Sequence, residues 1–159
     1  MAETSNSMAG GSAENLIQAG HVGAVNVGGA SQSPKDRLWA LRHDAYEELS
    51  RATGQMLVLC DRWDKFDGDG AMASLNQVRA CVERMAYFDA PAAEANEVFF
   101  KLRECFIATW DLHQAYLRRD EGGMEPVTST YSNAQEVERS VRDALAAFHL
   151  WSSARLSAV

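Results

Sequence analysis

The chain has 159 residues, 47% of them hydrophobic, and a formal net charge of −7 from 22 acidic and 15 basic side chains. That length and apolar content suit a single domain with a real core and argue against disorder throughout. The acidic balance offers no field to attract a phosphate backbone, so nucleic acid is not expected as a partner.

Residues 1–33 differ from the rest. They hold six of the eleven glycines, and only Glu3 and Glu14 carry charge before Lys35. Such a segment has too little apolar surface to offset its own ordering entropy, so a Gly-rich arm that is flexible in the monomer is expected, with the boundary near Pro34. Within it, Asn15 to Gly29 contains no charge and no proline. It carries the β-formers Ile17, Val22, Val25 and Val27 and the amides Gln18 and Asn26. Uncharged β-prone segments can stack in register, each backbone group pairing with a neighbouring chain and the amides forming ladders.

The pattern Asn15, Ile17, Gln18-Ala19-Gly20, Val22, Val25, Asn26 and Gly28 resembles the bacterial amyloid signalling motifs, short sequences related to the RIP homotypic interaction motif. The resemblance implies a signalling role, in which an assembled state passes by cross-seeding from a nucleotide-binding receptor with a similar arm to a helical effector. It also implies self-assembly through these residues.

Helical periodicity begins at Ser33. Ser33 can cap a helix, Pro34 suits the first turn and Asp36 completes a capping box. Leu38, Leu41, Ala45, Leu49, Ala52, Met56, Cys60 and Trp63 recur in threes and fours and predict one inward stripe reaching toward Phe66. Gly54 is a candidate bend. The run Asp67-Gly-Asp-Gly70 then breaks the pattern. Together with Lys65 and Asn76 it is similar to a calcium-binding loop, but Lys65 stands at the first ligand position and Asn76 at the twelfth, so a Gly/Asp turn is the better reading. Met72, Leu75, Val78, Val82 and Met85 predict a second helix near residues 71–88.

Asp89 supplies a cap for a third helix with Pro91 in its opening turn and Val98, Phe99, Leu102, Phe106, Trp110 and Leu117 along its stripe. Its end is expected at Arg118 or Arg119, where positive charge suits a C-terminus. Residues 120–131, with Gly122, Gly123 and Pro126, are expected to form the longest internal loop. Ser132 and Gln135 make a second capping-box pattern before Val137, Val141, Leu145, Phe148 and Trp151. The expected fold is all-α, an antiparallel four-helix bundle over residues 34–159 preceded by the arm.

Chemistry is harder to assemble. Cys60, Cys81 and Cys105 form no CxxC pair and fall at inward helical positions, which reads as reduced thiols in a reducing compartment. With neither a basic-then-apolar leader nor a run of 18 apolar residues, the expected location is the cytoplasm. Arginine-rich basic content and abundant alanine hint at a bacterial source. No Glu-x-x-His pair suggests a di-iron site, and His43 with Glu47 reads as a surface pair one turn apart. No nucleophile, base and orienting group come together, so neither catalysis nor a cofactor is expected. The leading functional reading is a non-enzymatic signalling protein whose arm mediates assembly and whose helical body docks or acts as output. The alternative is a small-molecule or regulatory binding module, with Trp39, Trp63, Trp110 and Trp151 lining a pocket.

Overall fold

The computed structural model describes residues 33–89 and 92–158. The chain separates into two units, Met1–Ser31 and Gln32–Val159, and the second is the one described. The interaction-motif residues Asn15 to Gly28 lie outside the described residues.

The described residues are all-helical, with four long helices. Helix α1 spans Pro34–Asp61, followed by a single 3-10 turn over Trp63–Lys65; α2 spans Gly68–Met85, α3 Ala93–Leu117, the short α4 Arg119–Gly122, and α5 Glu125–Ser157. No helix among them is long and apolar enough to cross a membrane.

The start of α1 follows the local chemistry read from the sequence. The Asp36 amide donates to Ser33 Oγ at 3.2 Å and the Ser33 amide donates to the Asp36 carboxylate at 3.1 Å, so two otherwise orphaned donors are satisfied reciprocally. The helix runs through Gly54 and ends at Asp61, short of Phe66. Its buried face is Ala45, Leu49, Ala52, Met56 and Cys60, joined by Tyr46, Thr53 and Leu57. Leu41, expected inward, is exposed, because at 100° per residue Arg42 rather than Leu41 lies on the centre of that face.

Helix α2 begins at Gly68, three residues before its expected start near residue 71, because Asp67 acts as N-cap and accepts from the Gly70 amide at 3.0 Å. A Cβ at Gly70 would press on the Asp67 carboxylate, which would have to turn aside from its present capping position. The Asp67 side chain is thus committed to ending the Gly/Asp turn. Met72 points out, one residue past the buried Ala71.

Two expected helix starts are corrected. Asp89 does not cap α3: the N-cap is Ala92, which makes no side-chain bond, and Asp89 is turned into the protein to meet Arg42 and Tyr46. The loop expected over 120–131 is also much shorter. Residues 119–122 form a helical turn, Gly123 reverses the chain at φ +74°, and α5 begins at Glu125 with Pro126 in its first turn. Ser132 is consequently inside a helix, and its hydroxyl donates to the Thr128 carbonyl at 3.2 Å instead of capping. Thr128 and Thr130 bond back four residues in the same way, which satisfies hydroxyls that would otherwise compete with the helix. Gln135 donates to the Tyr131 hydroxyl at 2.9 Å rather than closing a box. Buried Val127 and the Trp63–Tyr131 ring contact anchor this extra stretch against the rest of the fold.

The core gathers residues from all four long helices, including Leu49, Met56, Val78, Met85, Leu102, Val141 and Phe148. On α3 the buried line is Ala95, Val98, Leu102, Cys105, Thr109 and Leu112. Trp110 and Leu117, expected on that stripe, are exposed. Steps of four rotate the stripe by about 40° each, so a line from Leu102 through Phe106 to Trp110 leaves the core face, while alternating threes and fours stay on it.

Candidate functional site

Four features of the helical body carry chemistry, and the first is a cavity. A space of about 100 Å³ lies where the end of α1, the middle of α3 and the start of α5 meet, lined by Cys60, Cys105, Thr109, Trp63, Tyr131 and Glu138 among others. Both cysteines are buried and free. The neighbouring Cys105 lowers the Cys60 pKa, burial opposes this, Thr109 assists, and Glu138 and Asp61 push upward. Cys105 moves the opposite way: its neighbour Cys60 and its burial both raise its pKa. The two thiols titrate as a pair, with the first loss of a proton favoured at Cys60. Spaced 45 residues apart, these thiols are joined only by the packing of α1 on α3, so the inward position of each was legible in the sequence and their meeting was not.

The second feature is a buried polar cluster. Arg42 faces the Asp89 carboxylate at 2.8 Å, with the Asp89 side chain fully buried, and the Tyr46 hydroxyl donates to the same carboxylate. Burial and Asp89 together raise the Tyr46 pKa, so the phenol keeps its proton. The third is Ser50 and His149, whose Oγ and Nε2 stand 2.9 Å apart; Ser50 Oγ also donates to the Tyr46 carbonyl at 3.0 Å, and the contact joins α1 to α5.

The fourth is an apolar ridge on α3. Phe100, Ile107, Trp110 and Leu117 are between 44% and 56% exposed and recur at intervals of seven, three and seven, which keeps them on one outward face. The Trp110 ring lies over Gly68, 3.0 Å from where a Cβ would stand, and Met72, one turn further along α2, extends the apolar surface beside it.

The four tryptophans do not share a pocket. Trp63 lines the cavity, Trp151 packs with Tyr46 and Phe148, Trp39 stacks on His43 with ring centroids 4.9 Å apart, and Trp110 belongs to the ridge. His43 stands 3.9 Å from Glu47 and 3.6 Å from Asp44, and His113 Nδ1 is 2.8 Å from the Trp63 carbonyl. Arg119 donates to the Tyr116 carbonyl at 3.0 Å and lies over its ring, closing the end of α3. Among the described residues, no group of three or more His, Cys, Asp or Glu side chains is placed to hold a metal. No protein-family model matches the chain, and comparison with curated proteins and with solved structures returns no match.

Proposed function

We propose that this chain is a non-enzymatic interaction protein in which the N-terminal arm brings copies together and the helical body supplies a second, weaker contact. The observation that carries the reading is the apolar ridge of Phe100, Ile107, Trp110 and Leu117 with Met72 beside it. Its occupant is the ridge of a second copy. About half of each of five large side chains amounts to an area on the order of 500 Å², below the roughly 800 Å² per partner typical of a stable complex. Ridge pairing is therefore too weak to act alone and takes effect once another contact raises the local concentration. The uncharged, β-prone segment from Asn15 to Gly29 is suited to be that other contact.

The body that carries the ridge is an up-down-up-down antiparallel bundle. Early residues of α1 (Arg42, Tyr46, Glu48) meet the ends of α2 and α5 at Arg84, Phe88, Phe148 and Trp151. Trp63, in the turn just after α1, meets the end of α3 at Tyr116 and the start of α5 at Tyr131, as alternating helix directions require. A receptor with a similar arm is the natural heterotypic partner, in keeping with the resemblance to amyloid signalling motifs. A small-molecule reading is less favoured, since the 100 Å³ cavity is well below the roughly 300–1,000 Å³ of ligand pockets.

The test uses the full chain. Thioflavin fluorescence, fibre diffraction and sedimentation velocity should report concentration-dependent assembly with a reflection near 4.7–4.8 Å. A chain that stays monomeric at about 0.5 mM, well into the range where weak self-association registers, overturns the reading.

A further inference from the structure

The cavity at the α1–α3–α5 junction is lined by two thiols that the interaction reading leaves unused. Cys60 sits in the last turn of α1, and Cys105 lies on the buried face of α3. Both open on the same space of about 100 Å³, which Trp63 and Tyr131 wall and Thr109 and Glu138 edge with polar groups. Water takes about 30 Å³ in the liquid, so this space admits a molecule the size of hydrogen peroxide and excludes a tripeptide disulfide. The third cysteine, Cys81, is also buried but lies on α2 beside Arg84, whose guanidinium donates to its sulfur at 3.6 Å, and it does not line the cavity.

We propose that Cys60 and Cys105 form a peroxide-responsive dithiol, in which a small hydroperoxide entering the cavity converts the pair into a disulfide linking the end of α1 to α3. Cys60 is the attacking sulfur and Cys105 the resolving one. The Cys60 thiolate attacks one oxygen of hydrogen peroxide: the S–O bond forms, the O–O bond breaks, and the departing hydroxide takes a proton to become water. Cys60 is then a sulfenic acid, oxidised by two electrons, and the peroxide has been reduced. Cys105 gives up its proton as its sulfur attacks that of Cys60. The S–S bond forms, the S–O bond breaks, and the leaving oxygen accepts the proton and departs as a second water. The sum is two thiols and one peroxide to one disulfide and two waters. A low-molecular-weight dithiol reverses the change by exchange.

The division of roles follows access: Cys60, at the end of α1, is 6% exposed and Cys105, in the middle of α3, 1%, so peroxide in the cavity meets Cys60 first. The neighbouring Cys105 lowers the Cys60 pKa against the effect of burial, in the same direction. At Cys81 burial and the nearby Glu48 carboxylate raise the pKa against the Arg84 bond. It serves as an internal control, a buried thiol that lies outside the cavity.

The experiment treats the reduced full chain with one equivalent of hydrogen peroxide, then unfolds it in N-ethylmaleimide and reads the intact mass and a non-reducing peptide map. The expected product has lost two hydrogens, joins the Cys60 and Cys105 peptides, and carries one maleimide on Cys81. Loss of the Cys60 thiol should be at least about tenfold faster than loss of Cys81. Glutathione disulfide at the same oxidising equivalents should leave all three thiols free. In Cys105→Ser the reaction should stop at a sulfenic acid on Cys60 that dimedone traps, and in Cys81→Ser the disulfide should form as in the parent. Three maleimides after peroxide, equal loss of Cys60 and Cys81, or oxidation by glutathione disulfide at the rate of peroxide would each overturn the proposal. Those readings come from the unsubstituted chain and hold whether or not the variants fold.

Discussion

Arg42, Tyr46 and Asp89 remove three polar groups from water where the beginning of α1 meets the end of α2. A buried pair of this kind is expensive to break and cheap to replace. Deleting one member leaves the other charged and desolvated, at a cost of about 3–5 kcal/mol, whereas exchanging both for apolar groups is often neutral. Arg42→Met should therefore lower the denaturant midpoint strongly, and Arg42→Met with Asp89→Leu should recover most of the loss. If the double variant is as unstable as the single, the pair contributes more than mutual compensation. Thr53 presents the opposite case. It is fully buried, and its hydroxyl meets no partner among the described residues. Thr53→Val keeps the shape and removes the desolvated oxygen, so it should be neutral or stabilising by up to about 1 kcal/mol in urea unfolding. A clear destabilisation would show that the hydroxyl is satisfied after all.

Between elements, α1 and α2 are joined at their surface by Glu48, which accepts from both Arg84 and Gln77. The Arg84 bond, set against a smaller desolvation effect, lowers the Glu48 pKa below its ordinary value. With the folded value lowered, the contribution is present in full above the unfolded carboxylate pKa and disappears as pH falls through the folded one. Glu48→Gln should accordingly cost about 0.5–1 kcal/mol at pH 7, the scale of a half-exposed pair. The gap between variant and parent should close as the unfolding midpoints are followed below about pH 4. A gap that persists unchanged in acid would assign the loss to packing. Element boundaries also mark where the sequence was informative. The Ser33 box was legible because its partners are three residues apart, and so was the buried line of α1 from Ala45 to Cys60. The start of α5 was not legible. Gly123 was correctly a break, but the Thr-rich run after Pro126 is helical because Val127 and Tyr131 pack against distant residues, overriding a local capping pattern at Ser132. Asp89 misled for the same reason, since its partners are more than forty residues away. The Cys60–Cys105 pairing and the α3 ridge share that cause: periodicity identified apolar faces on α3, and only packing decides which face meets the core.

At the scale of the whole molecule, the proposed arm and ridge impose different spacings. Stacked strands repeat every 4.7–4.8 Å, whereas a helical body with helices 8–10 Å apart is roughly 20 Å across. Bodies carried by consecutive strands cannot all sit beside the axis, so assembly through the arm has to splay them irregularly or stop at small oligomers. Ridge pairing favours the small oligomer, because it satisfies two bodies at once and leaves neither ridge free to recruit a third. Two substitutions separate the contributions. Val25→Asp places like charges at every layer and should abolish assembly, while far-ultraviolet circular dichroism and the melting temperature of the body stay as in the parent. Ile107→Asp alters a half-exposed side chain at the middle of the ridge and should leave the fold intact. Because it removes only the weaker contact, it should raise the concentration needed for assembly by roughly tenfold or less, about 1.4 kcal/mol. It should also shift sedimentation from discrete small species toward polydisperse fibres. Unfolding of the body by Val25→Asp would make the arm part of the fold and remove the support for an assembly role. Identical thresholds and species for Ile107→Asp and the parent would instead leave the arm as the whole of the interaction and the ridge without a part in it.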